Sequence, residues 1–175
     1  MSYVKLRSAL VEFGALSLLT VITAGVLVGG PVASAAEAKA SEPNVQSRLL
    51  TDVKSVAPGE SFRIGLLLEI PEGWHVYWKH PGEAGMATHV DFDLPKGWEV
   101  SSLRWPHPAQ FKQPGDVVGY GYSREVLLFA TVRVPKKAEV GSQVELKAKA
   151  DWLACRDKCV VGKAELTAPI SLGQR

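Results

Sequence analysis

Two cysteines, Cys155 and Cys159, are the only thiols in this chain, and they stand four positions apart in Trp152-Leu153-Ala154-Cys155-Arg156-Asp157-Lys158-Cys159-Val160. If the segment forms a helical or loop turn, residues at this spacing lie about 6 Å apart, close enough to bridge. Such a bridge is a poor staple. The chain-entropy account gives about 2 kcal/mol for a loop of about five residues, against about 4.7 for about a hundred. A short loop instead invites strain, and strained or exposed disulfides are the readily reduced ones. Arg156 and Lys158 lie between the sulfurs and favour the thiolate, the nucleophile of exchange, while Asp157 partly opposes them. Spacing and charge leave two readings open, a thiol–disulfide exchange pair and a plain structural disulfide. Two cysteines supply only half of a zinc shell.

Other chemistry has weaker support. His75, His80, His89 and His107, with Met86 and the thiols, are copper-compatible donor types. Their spacing matches no ligand set, so the expectation is no metal and no cofactor. No glycine-rich loop opens a helix, no serine sits in a nucleophile elbow, and the carboxylates form no acid–base pair. The net charge of +2 gives no argument for nucleic acid. Two aromatic groups stand out: Trp74, Tyr77 and Trp78, and then Trp105, Phe111, Tyr120 and Tyr122. Packing explains them plainly. The sharper reading is that the proline-rich loop 106–115, carrying Phe111, caps the cysteine pair, with His75 and Tyr77 giving polar contacts to sulfur. A histidine beside a cysteine can stabilise its thiolate or move its proton.

The elements that must position these residues read as strands. Lys5 and Arg7 precede an apolar run at 13–30, and Ala33-Ser34-Ala35 follows. This is the pattern of a cleaved secretion signal over 1–35, with a retained membrane anchor as the alternative. Residues 36–44 form a flexible leader, and the domain occupies 45–175. Its predicted location, outside the cytoplasm, permits disulfides. Alternation of apolar and polar residues marks strands at 45–53, 62–70, 90–94, 98–105, 126–134, 144–152 and 164–172. Both faces of 126–134 are largely apolar, which predicts a central, buried strand. Pro81-Gly82 reads as a turn, and Pro169 as a mark of an edge strand. About eight or nine short strands without an amphipathic helix predict an antiparallel β-sandwich. Trp152 and Leu153 should tie the cysteine loop to its rim.

Gly73-Trp74-His75-Val76-Tyr77-Trp78-Lys79, Pro81-Gly82-Glu83-Ala84-Gly85, Trp105-Pro106-x-Pro108, Tyr120-Gly121-Tyr122 and Trp152-Leu153-x-Cys155-x3-Cys159 follow in that order. Together they resemble the N-terminal periplasmic domain of the DsbD/ScsB group of bacterial disulfide-reductase transporters. The resemblance implies an immunoglobulin-like sandwich with a redox-active cysteine loop. It also implies that Cys155 and Cys159 are the redox pair, with Cys159 the partner-linked sulfur. Tyr77 and His75 match the place of aromatic residues near the pair, and Phe111 that of the protective cap. Members of the group take electrons from a membrane transporter and pass them to periplasmic thioredoxin-fold proteins. They serve disulfide isomerisation, cytochrome c maturation or copper tolerance. The best-known members continue into a membrane domain and a thioredoxin-like domain, whereas this sequence stops at Arg175. The expectation is therefore a periplasmic monomer served by a separate membrane electron transporter. The alternatives are a non-catalytic binding module with a structural disulfide and a copper-handling domain.

The exchange reading predicts a reduction potential for the Cys155–Cys159 pair well above about −300 mV, measured by equilibration with a dithiothreitol or glutathione series. A structural disulfide falls below that value.

Overall fold

The computed structural model describes residues 43–113 and 115–173, and every regular element among them is a β-strand. The predicted signal segment and most of the leader lie outside the described residues.

The strongest alternation in the chain builds the first sheet. Strand β3 (Ser61–Glu69) turns Phe62, Ile64, Leu66 and Leu68 inward, all fully or almost fully buried. It pairs antiparallel with β9 (Glu125–Arg133), which sets Leu66 opposite Leu128 and Phe62 opposite Val132. Strand β1 (Gln46–Thr51) lies on the free side of β3, and the short β6 (Glu99–Val100) lies beyond β9.

The second sheet is organised around a long hairpin, β10 (Gln143–Cys155) and β11 (Cys159–Leu172), paired from Gln143–Ser171 to Cys155–Cys159. On its other side, β10 pairs first with β5 (His89–Asp93) and then, at Ala154 and Cys155, with β4 (His75–Gly82). Beyond β4 come β8 (Val118–Tyr122) and β7 (Ala109–Lys112), while β2 (Ser55–Val56) runs parallel to the end of β11. Ile64, Leu66 and Leu128 of the first sheet share one core with Val76, Leu146 and Trp152 of the second. The architecture is the expected immunoglobulin-like β-sandwich; among its named strands only the two-residue β2 pairing is parallel.

Several local expectations change. There are eleven strands among the described residues, because short edge pieces such as β2 and β6 are too brief to show periodicity. Pro81 and Gly82 continue β4 through a register shift instead of turning the chain. Of 98–105, only Glu99 and Val100 form a named strand, with Arg104 as an isolated bridge. Strand β9 is central, but only one of its faces is buried, and Leu127 on the other is 40% exposed. The last strand starts at Cys159, not Ala164. Pro169 lies on β11 opposite Glu145, and β2 covers the outer side of that strand only at its end.

Trp152 lies directly across from Gly162, and its indole occupies the space a side chain there would need. Gly162→Val is expected to destabilise the domain by about 1–3 kcal/mol through overpacking. The loss is read as a lower urea midpoint with the all-β circular dichroism retained.

Candidate functional site

Cys155 ends β10 and Cys159 begins β11, so the two face each other across a hairpin closed by Arg156, Asp157 and Lys158. They form a disulfide with Cα atoms 4.1 Å apart. The expected turn at about 6 Å is thus replaced by a cross-strand pair, because the alternation of β10 and β11 runs right up to the cysteines. In the loop, the Arg156 amide donates to the Lys158 carbonyl at 3.0 Å. The two sulfur-bearing residues differ in access: Cys155 is 1% exposed, whereas Cys159 is exposed.

The burial of Cys155 has a specific cause. Ala154 points into the core, so by strand alternation Cys155 points to the outer face of its sheet. There it sits opposite His75 of β4. Directly opposed residues of an antiparallel pair hold their Cβ atoms about 4.5–5.5 Å apart. The His75 ring packs on Phe111 at 4.0 Å and on Tyr77 at 5.3 Å, and Tyr77 and Phe111 are 5.8 Å apart. The three side chains singled out beside the cysteines therefore form one outer cluster. Tyr77 is almost fully buried although it lies outside the main core.

Glycines make this cluster possible, and this was missed in reading the aromatic residues alone. Gly119 leaves room for the Phe111 ring, Gly121 for the close backbone approach of Val76, and Gly85 for the Tyr77 ring. The usable signal was Gly119-Tyr120-Gly121-Tyr122: glycine at every second position strips one strand face of side chains. Gln113, also unforeseen, donates from Nε2 to Tyr77 Oη at 3.0 Å. The Tyr122 hydroxyl donates to the Pro106 carbonyl at 2.8 Å, anchoring the chain before β7. Phe111 is consequently carried on a paired strand, where a loop was expected. Between it and Trp74 runs a cleft of ≈ 390 Å³, with His75, Tyr122 and Arg124 among its walls.

The electrostatics are local. The Arg156 guanidinium lies 5.1 Å from the Trp74 ring centroid, and its Nε donates to Asp157 Oδ2 at 2.9 Å. That contact holds the hairpin loop against the β3–β4 turn. Burial raises the pKa of Tyr77, partly offset by the Gln113 hydrogen bond, and pushes that of Tyr122 up to about 12. Burial lowers the pKa of His75, whose Nε2 is buried without a hydrogen-bond partner. The histidines do not converge. His80 packs on Trp78 at 5.2 Å and His89 pairs with Asp151. Among the described residues, no three of His, Cys, Asp and Glu gather as a metal ligand set.

Fold and site together define an immunoglobulin-like sandwich with a cystine at the tip of a hairpin, half buried against an aromatic cluster. The family model for the N-terminal domain of the thiol:disulfide interchange protein DsbD matches residues 46–170, and the chain belongs to that family. Among solved structures, it is similar to the N-terminal periplasmic domain of ScsB from Proteus mirabilis. The identity is 22% and the TM-score 0.53, over 70% of this chain and 45% of that one. The N-terminal domain of Neisseria meningitidis DsbD, in the reduced form, aligns at 14% identity and a TM-score of 0.39, over 73% and 86%. The chain thus spans less than half of the ScsB structure it matches. A search of curated proteins finds no match.

The lowered pKa of His75 has a consequence for stability. The unfolded chain takes up a proton on this residue at higher pH than the folded one. The stability contributed by neutral His75 is complete above about pH 6.5 and is lost as pH falls toward its lowered folded value. The urea midpoint of the oxidised protein should fall between pH 7 and pH 5, and fall less in His75→Phe.

Proposed function

We propose that this protein is a periplasmic thiol–disulfide exchange protein. It relays electrons from a separate membrane transporter to thioredoxin-fold partners through Cys155 and Cys159. The observation that carries this reading is the asymmetry of the cystine, with Cys159 exposed at the hairpin tip and Cys155 buried against His75. A purely structural bridge has no need of one open and one sheltered sulfur. Membership of the thiol:disulfide interchange family supports the same chemistry.

In this reading the Cys159 thiolate attacks one sulfur of a partner disulfide. A Cys159–partner bond forms, and the other partner sulfur leaves as a thiolate. The Cys155 thiolate then attacks Cys159 Sγ, closes the Cys155–Cys159 bond and releases the second partner thiolate. Two electrons pass to the partner, whose two thiolates take up the two protons released by the pair. A membrane donor reduces the pair again by the reverse steps. The cluster of His75, Tyr77 and Phe111 shelters Cys155 while Cys159 stays open to a partner, and the cleft beside it gives a partner segment a place to lie.

Trapping tests the assignment. Cys155→Ala leaves the exposed thiol and should accumulate mixed disulfides with periplasmic thioredoxin-fold proteins on non-reducing gels. Cys159→Ala should accumulate few. If neither variant traps such a protein, and the double serine variant keeps full function in cells, the domain is a binding module with a structural disulfide.

A further inference from the structure

The residue opposite the buried cysteine carries a buried imidazole nitrogen with no partner. His75 and Cys155 are directly opposed on β4 and β10. Nε2 of His75 is sealed from solvent and makes no hydrogen bond. Leaving such a buried group unpaired is unfavourable, so its placement needs a reason. The disulfide form gives it no donor, because neither sulfur carries a proton. Reduction changes this: the S–S bond opens, the sulfurs move apart, and Cys155 acquires an S–H. The other ring nitrogen, Nδ1, is not among the sealed, unpaired atoms and leaves the proton a way out.

We propose that His75 is the proton acceptor for Cys155, holding the thiol through Nε2 in the dithiol form and taking its proton as Cys155 attacks the mixed disulfide. This rests on the exchange reading above. In the step, the proton moves from Cys155 Sγ to Nε2, and the sulfur electron pair forms the bond to Cys159 Sγ. The Cys159–partner bond breaks, and the partner sulfur departs with its electrons as a thiolate. The imidazolium proton then passes to solvent or to that thiolate. The sheltered sulfur is the one that needs such help, since burial in apolar surroundings raises a thiol pKa. Cys159, exposed between loop and solvent, does not.

The surroundings leave His75 free for this role. On its own strand the nearest titratable group is Tyr77, whose hydroxyl is already engaged by Gln113. Phe111 on β7 is uncharged and packs against the His75 ring in a tilted contact, at 43° and 4.0 Å. From the hairpin loop, Arg156 is directed to Trp74 and Asp157, and Lys158 is exposed. The cleft wall adds Glu72, Tyr122 and Arg124. Among the described residues no carboxylate hydrogen-bonds to Nε2 of His75. The lowered pKa of His75 keeps the imidazole neutral near neutral pH, hence free to accept a proton.

The test is single-turnover oxidation of the reduced protein by 4,4′-dithiodipyridine, followed by thiopyridone absorbance. The first equivalent reports attack by Cys159 and the second reports closure by Cys155. In the unmodified protein the closure rate should be level from pH 8 to about 6.5 and fall only below that, following a histidine. In His75→Gln and His75→Phe it should climb with pH like an unassisted thiol. A thiol titrating near about 8.5 is only ~3% thiolate at pH 7, so closure there should be ~30-fold slower. The first phase should keep its rate. Closure that already follows a thiol inflection above pH 8 in the unmodified protein overturns the proposal without recourse to any variant. So does closure within twofold of the parent in both variants. Absence of a second equivalent from the unmodified protein instead overturns the exchange reading itself.

Discussion

The last residue of β10 is held from both sides. Cys155 is bonded and paired to Cys159 on β11 and paired to His75 on β4. Much of the rest of the site depends on this double constraint. Because β10 must present Trp152 and Ala154 to the core, strand alternation sends Cys155 to the outer face. An outward residue is normally wet. Here it is dry because β4, β8 and β7 build a small apolar cluster on that face. The main core thus fixes the angle at which the cystine is offered, and the outer cluster fixes how much of it solvent reaches.

The outer cluster is made by subtraction. Gly119 and Gly121 remove the side chains that would stand between Phe111 and β4, and the ring of Phe111 fills the gap as far as His75. Gly85 does the same above Tyr77, where positive φ and the adjacent ring both exclude a side chain. Tyr122 faces the other way, into the core, and its hydroxyl reaches Pro106. One strand of alternating glycine and tyrosine therefore serves two layers. It yields space on its outer face and on its inner face ties down the approach to β7.

Much of this was legible in the residues. The alternation in 62–70, 126–134 and 144–152 identified the strands that carry the core, and the ordered motifs pointed to the family that the match over 46–170 establishes. His75, Tyr77 and Phe111 were singled out from the residues, and the structure brings their rings together. What escaped were features set by pairing partners distant in sequence. Periodicity cannot show that β9 packs on one face only, that Pro81 and Gly82 stay within a strand through a register shift, or that 109–112 pairs with β8. The cysteine hairpin was read as a turn because a spacing of four suits several backbone geometries. Only the continuation of both strands to the cysteines selects the cross-strand one.

Among the described residues, strand β7 ends the order of its sheet, with β8 on one side and no strand on the other. Phe111 is therefore carried by the least constrained strand beside the site, whereas the cystine sits on the most constrained. Peeling β7 away breaks one short ladder and the side-chain bonds at Gln113 and Tyr122, and leaves the β10–β11 hairpin untouched. Local opening in proteins follows such differences in pairing. One lip of the site thus rests on a single edge ladder, while the sulfurs rest on a strand paired on both sides.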